Sequence, residues 1–197
     1  MYSYISVYAP DEADFLHNGL RILCPTACQI SETLNAEYSL SITHPMDEWG
    51  SWKYIRENYI IKAQGQLFRI YRKTLTMSSD GAYEIQAEAL HIFYDLNFYF
   101  IKDTRPMMQT GCDALNWIVT HTYTDRGSST IGQPTDRFTF STDIKPVGQF
   151  PTADDLKTAY YEKMSVTKAL IGADNCFVTV WGGEILRDNF NVIINKR

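Results

Sequence analysis

A period of two constrains this chain more than any other feature. In residues 66–72, QLFRIYR, apolar Leu67, Phe68 and Ile70 are set among polar Gln66, Arg69 and Arg72, and Gly65 turns the chain into the run. Such a pattern suits a strand with one face on a core and does not suit a helix, whose side chains repeat every 3.6 residues. Similar runs occur at residues 2–8, 20–23, 59–62 and 83–89, bounded by Pro10 with Asp11, Glu12 and Asp14, by Asn18-Gly19, and by the Ser78–Gly81 turn. Residues 28–34 and 38–43 predict a hairpin around Asn35-Ala36-Glu37, with Ile30, Leu40 and Ile42 toward the core. His44-Pro45 ends a strand, and residues 48–56 predict a helical turn. Five or six antiparallel strands within about ninety residues predict a small barrel or sandwich over residues 1–90.

From His91 the character changes, and residues 91–197 predict an inserted α+β domain. The run HIFYDLNFYFIKD is densely apolar and opens in a helical turn. Thr110 is placed to cap a helix carrying Cys112, Leu115, Trp117, Ile118 and Val119 at helical spacing. Residues 122–134 predict a polar, glycine-containing loop, residues 138–141 a strand, residues 149–152 a weaker strand, and residues 165–171 a short helix capped by Ser165. Residues 176–181 predict a strand that joins a closing hairpin, residues 184–186 and 192–194 about Asp188-Asn189, in a final sheet. Gly182-Gly183 is read as a bulge or turn within that sheet. The fold class is β-rich α+β: an antiparallel, barrel-like domain with an inserted α/β segment.

Eighteen Lys and Arg against 23 Asp and Glu give a net charge of −5, spread along the chain. Tight phosphate-backbone binding needs clustered cations, so nucleic acid held by charge is disfavoured, although nucleic acid passing through a pore is not. No apolar run reaches the ~20 residues of a membrane span, and the first residues lack the basic and apolar regions of a signal peptide. The expectation is a protein made in a cytoplasm, with Cys24, Cys28, Cys112 and Cys176 as free, mostly buried thiols.

No catalytic, cofactor-binding or metal-binding residue stands out. Cys24-x3-Cys28 has no complementary His or Cys pair. Cys112 and His121 lie nine residues apart along one helix, a rise of about 13 Å, too far for a hydrogen bond. Cys112 is expected to pack beside Leu115. The carboxylates of Asp47-Glu48 and Asp154-Asp155 suit solvated loops and helix starts. Exposed aromatic rings stack on sugar faces, which makes Trp49, Trp52 and Trp117 the residues to examine for carbohydrate binding, but each sits in an apolar pattern that favours a core or interface role.

Four stretches resemble the N-terminal region of the phage minor structural, or prophage tail endopeptidase, proteins: residues 18–63, residues 66–73 (QLFRIYRK), residues 88–106 (EALHIFYDLNFYFIKDTRP) and residues 177–197 (FVTVWGGEILRDNFNVIINKR). The resemblance implies a baseplate hub fold in which barrel-like domains assemble as a homotrimer continuing the tail tube. It implies the distal tail protein and the tape-measure protein as partners, phage DNA passing through the lumen without specific binding, and a place at the virion tail tip. It also implies that the strand at residues 192–196 ends an inserted segment, with the later half of the hub beyond it. The family's endopeptidase label finds no nucleophile, metal motif or general base in these residues. The alternatives are a cell-wall hydrolase and a domain binding host polysaccharide.

Overall fold

A computed structural model of the chain describes residues 4–77, 81–122, 133–144 and 150–197. Its contacts divide the chain into two units: Met1–Thr33 with Glu37–Ile92, and Leu34–Ala36 with Phe93–Arg197. No helix among the described residues is long and apolar enough to cross a membrane.

The first unit is built on one antiparallel sheet. Its strands are β1 (Ile5–Tyr8), β2 (Arg21–Leu23), β3 (Ala27–Glu32), β4 (Tyr38–Pro45), β5 (Ile60–Ala63), β6 (Gln66–Met77) and β7 (Tyr83–His91). They lie in the order β2-β1-β5-β6-β7-β4-β3. The alternation that predicts them also fixes their faces. In β4, Tyr38, Leu40, Ile42 and His44 are buried, and across the ladder Ile85, Ala87 and Ala89 of β7 face the same way. Tyr38 stacks on His91 with ring centroids 4.5 Å apart, and Phe68 meets both rings edge-on. Residues 48–56 contract to a 3-10 turn at Ser51–Tyr54. Residues 1–3 of the first predicted strand lie outside the described residues.

The sheet is open, because no ladder joins β2 to β3 among the described residues, so the expected barrel is not closed. It is nevertheless far from flat. In a flat seven-stranded sheet, six spacings of about 4.8 Å would part the edge strands by roughly 29 Å. Only Cys24, Pro25 and Thr26 link β2 to β3, and the four steps from Leu23 to Ala27 span at most about 14 Å. The sheet therefore curls until its two edges come within reach of each other. The backbone N–H of Cys24 donates to His44 Nε2 at 3.3 Å, and that of Thr26 to the Thr43 carbonyl at 2.8 Å.

The second unit holds β8 (Phe100–Thr104), α1 (Gly111–Thr120), β9 (Thr139–Thr142), β10 (Tyr161–Ser165), α2 (Val166–Leu170), α3 (Phe177–Trp181), β11 (Glu184–Asp188) and β12 (Asn191–Asn195). β8 pairs with β10, while β12 pairs antiparallel with β11 and parallel with β9. Thr110 caps α1 by accepting from the Asp113 N–H, and Ser165 caps α2 by accepting from that of Lys168. Gly111 opens α1 directly beneath Ile144, where an added Cβ would lie 2.7 Å from that residue's carbonyl oxygen. The shared core includes Phe93, Leu96, Ile118, Phe138, Tyr161, Phe177 and Ile194.

Three sequence expectations fail in this unit. Residues 176–181 form α3 and not a strand, because Phe177 and Trp181, four apart, stack at 5.3 Å and bury the same helical face. Tertiary burial thus overrides the β-propensity of Val178 and Val180. Gly182-Gly183 consequently ends a helix, with Gly182 as its C-cap at φ 87°, and is not a bulge within a sheet. The weak strand at residues 149–152 is absent from its described part, where Thr152 opens a 3-10 turn at Ala153–Asp155. Most of the predicted loop at 122–134 lies outside the described residues.

Leu34–Ala36, the tip of the β3–β4 hairpin, belongs to this second unit. Asn35 adopts a left-handed conformation with φ 54°, and its side-chain amide uses both ends: Nδ2 donates to the Gly183 carbonyl at 3.1 Å, and Oδ1 accepts from the Ile185 N–H at 2.8 Å. The buried Arg187 donates to the Ala36 carbonyl, and its guanidinium lies 5.9 Å from the Phe93 ring centroid. Asn35→Ala removes both amide contacts at a position whose backbone favours Asn, and is expected to lower unfolding stability by about 1–3 kcal/mol in denaturant titration. A surface control such as Thr74→Ala should leave stability within about 0.5 kcal/mol.

Candidate functional site

The β2 edge and the end of β4 with the turn that follows it line a cavity of about 550 Å³. Leu20, Arg21 and Ile22 approach from the β2 side, and Pro45, Asp47 and Trp49 from the end of β4. The β2 side is set by the Asn18-Gly19 turn. Gly19, at φ 68°, packs so closely on β1 that an added Cβ would fall 2.4 Å from the Val7 carbonyl oxygen, and Leu20 N–H donates to the same carbonyl at 2.8 Å. The opposite wall is a tight turn in which the Gly50 N–H donates to the Asp47 carbonyl at 3.2 Å.

A chain of hydrogen bonds joins the two walls. Arg21 Nε donates to Ser51 Oγ at 3.2 Å, and the Ser51 N–H donates to Asp47 Oδ1 at 2.9 Å. His44 is fully buried, with Nδ1 donating to the Pro45 carbonyl at 2.7 Å and Nε2 accepting from the Cys24 N–H. Asp47 Oδ2 lies 3.9 Å from that Nε2. Burial would raise the Asp47 carboxyl, but hydrogen bonds from Ser51, the neighbouring His44 ring and the Gly50 N–H together hold it below the ordinary carboxylate range.

The three tryptophans singled out in the sequence have different settings. Trp49 is 80% exposed at the rim of this cavity and does not belong to the core. Trp52 is half-buried, with Lys53 Nζ 5.6 Å from its ring centroid. Trp117 is half-buried on α1, donates Nε1 to Thr104 Oγ1 at 2.7 Å and stacks on His121 at 4.1 Å. Cys112 and His121 stand at opposite ends of α1. Cys112 is half-buried beside Leu115, where both line a second cavity of about 390 Å³ between α1 and β9. The expectation of mostly buried thiols holds for Cys176 but not for Cys24 and Cys28, which are exposed at the start of β3 and just before it. Among the described residues no group of three or more His, Cys, Asp or Glu could hold a metal ion.

Residues 11–106 match the family described as the prophage endopeptidase tail N-terminal domain. Over these residues, just under half of its length, the chain is similar to the prophage tail proteins. The tail domain spans β2 to β8, and so includes the cavity and the first part of the second unit. Its fold is similar to that of prophage tail protein gp18 from Listeria monocytogenes EGD-e, with a TM-score of 0.58 and 15% identity over 98% of this chain and 51% of that one. It is also similar to a tail protein from Neisseria meningitidis MC58, with a TM-score of 0.54 and 11% identity over 98% of this chain and 50% of that one. The chain therefore spans about half the length of each of these structures. No curated protein matches its sequence.

Of the residues lining the cavity in the tail domain, Trp49 and Asp47 stand out in the sequence but Arg21 does not. Arg21 and Ser51 are thirty positions apart, and no local pattern marks their hydrogen bond. A signal existed only in the short link between β2 and β3, which implies the curl once the strand order is known.

The lowered Asp47 carboxyl gives a pH signature. A group whose pKa is lower folded than unfolded stabilises the fold fully above the ordinary carboxylate range, and that contribution disappears as pH falls through the lowered value. Asp47→Asn is expected to melt at a lower temperature than the parent protein at pH 7, with the gap closing below about pH 4, as read from melting curves between pH 7 and 2. A gap independent of pH would show that the carboxylate charge contributes nothing.

Proposed function

We propose that this chain is a structural part of a phage tail tip, a baseplate hub subunit. Three copies close a ring that joins the tail tube and the distal tail protein to host-facing parts. The match of residues 11–106 to a tail N-terminal domain carries the reading, and the likeness of fold to two tail proteins along nearly the whole chain supports it. In this reading the tape-measure protein is a further partner, DNA passes through the lumen without being held, and the protein resides in the virion. The function is then mechanical, located in interfaces.

The surface that best suits such an interface is the far end of the β6–β7 hairpin. β5 pairs with only the first part of β6, residues 66–69, and among the described residues the ladder of residues 72–77 runs to β7 alone. Leu75 lies opposite the buried Ile85 and Met77 opposite Tyr83, so these side chains continue the core-facing side of the sheet. Yet Leu75, Met77 and Tyr83 are each more than half exposed. Soluble proteins protect open strand edges with charge, proline or cover, and here a second copy supplies the cover.

Light scattering is expected to give the mass of a trimer, for the chain alone or mixed with the distal tail protein of the same phage. Leu75→Glu should return it to monomer with little loss of melting temperature. A monomer under both conditions, or a trimer indifferent to Leu75→Glu, would count against this interface.

A further inference from the structure

The cavity between β2 and the end of β4 has properties that a ring interface at Leu75, Met77 and Tyr83 does not explain. Trp49 presents an indole that is 80% exposed on its rim, at the end of a tight turn. Large apolar rings left in water beside a concave surface mark places where a ligand or partner settles. The remaining walls combine apolar Leu20, Ile22 and Pro45 with one cation, Arg21, and one carboxylate, Asp47. Both charged groups are fixed by hydrogen bonds to Ser51 rather than left to sample solvent.

We infer that this cavity binds a neutral saccharide, one ring stacked on Trp49 and its hydroxyls shared between Arg21 and Asp47. A pyranose offers what these walls ask for. Its axial C–H groups carry slight positive charge and lie well on the negative face of an indole. Its hydroxyls both donate and accept, so a guanidinium, which only donates, and a carboxylate, which only accepts, can engage neighbouring positions of the same ring. One cation against one carboxylate leaves no net charge, which favours a neutral ligand over an anionic one. The volume of about 550 Å³ lies within the range of small-ligand sites, about 300–1,000 Å³. The inference uses Arg21, Asp47 and Trp49, none of them among the residues assigned to the ring interface, Leu75, Met77 and Tyr83, although the two surfaces are neighbours: Pro45 pairs with Glu84, and the Met46 N–H donates to the Tyr83 carbonyl at 3.0 Å.

The test is a titration of the intact chain with glucose, galactose, N-acetylglucosamine and their β1,4-linked trisaccharides. It is followed through the indole N–H signals in two-dimensional NMR, with glucuronic acid as the charged comparison. At least one neutral trisaccharide should shift the Trp49 signal saturably below 50 mM, more strongly than glucuronic acid, leaving Trp117 and Trp181 unmoved. Trp49→Ala and Arg21→Gln should each weaken binding at least tenfold, whereas Trp52→Ala, on the neighbouring turn, should weaken it less than twofold. Melting temperature checks that each variant is folded. Absence of a saturable shift across the whole panel at 50 mM would overturn the inference. So would a Trp49→Ala variant that retains sugar binding but fails to associate with another copy or with the distal tail protein, since Trp49 would then be a protein contact.

Discussion

Three residues, Cys24, Pro25 and Thr26, impose the geometry on which the first unit depends. They connect strands at opposite edges of a seven-stranded sheet, and a link that short tolerates only a strongly curled sheet. The curl gives a small domain an interior in which Tyr38, Phe68 and His91 pack against one another. It also brings the β2 side to the end of β4, so that Arg21 reaches Ser51 and a cavity opens under Trp49. Core and candidate site are thus consequences of one topological restraint.

The edges of the sheet differ in how they are treated. β3 is exposed along most of its length but carries mainly small or polar residues, an ordinary soluble edge. The outer half of β6 instead carries Leu75 and Met77 on the side that faces the core elsewhere in the sheet. In the proposed ring this side of β6 is the surface that a neighbouring copy would cover.

Local signals in the sequence were strong where secondary structure is set locally. Alternation and turn signals pointed to five or six strands where the first unit has seven, and stopped β6 at Arg72 although it runs to Met77, while Thr110 and Ser165 marked two helix starts through the same hydrogen bonds the structure contains. Legibility failed where a distant partner decides. The segment around Phe177 has strand-forming residues, but burial of Phe177 and Trp181 on one face makes it a helix. β8 and β10 pair across some sixty positions and carry no clean alternation, so they were hidden within an apolar patch and an unremarkable polar stretch. Trp49 was expected in a core or an interface, and only the fold shows that it stands exposed at the rim of a cavity. Surfaces are assembled by topology, and the function proposed for this chain is read from surfaces.

The central claim is that the chain is a component of the tail tip. It is tested most directly by raising an antibody against the purified chain and imaging gold-labelled phage particles assembled from the genome that encodes it. The account predicts label confined to the end of the tail opposite the head. Label on the head, label along the whole tube, or particles that carry none would contradict it.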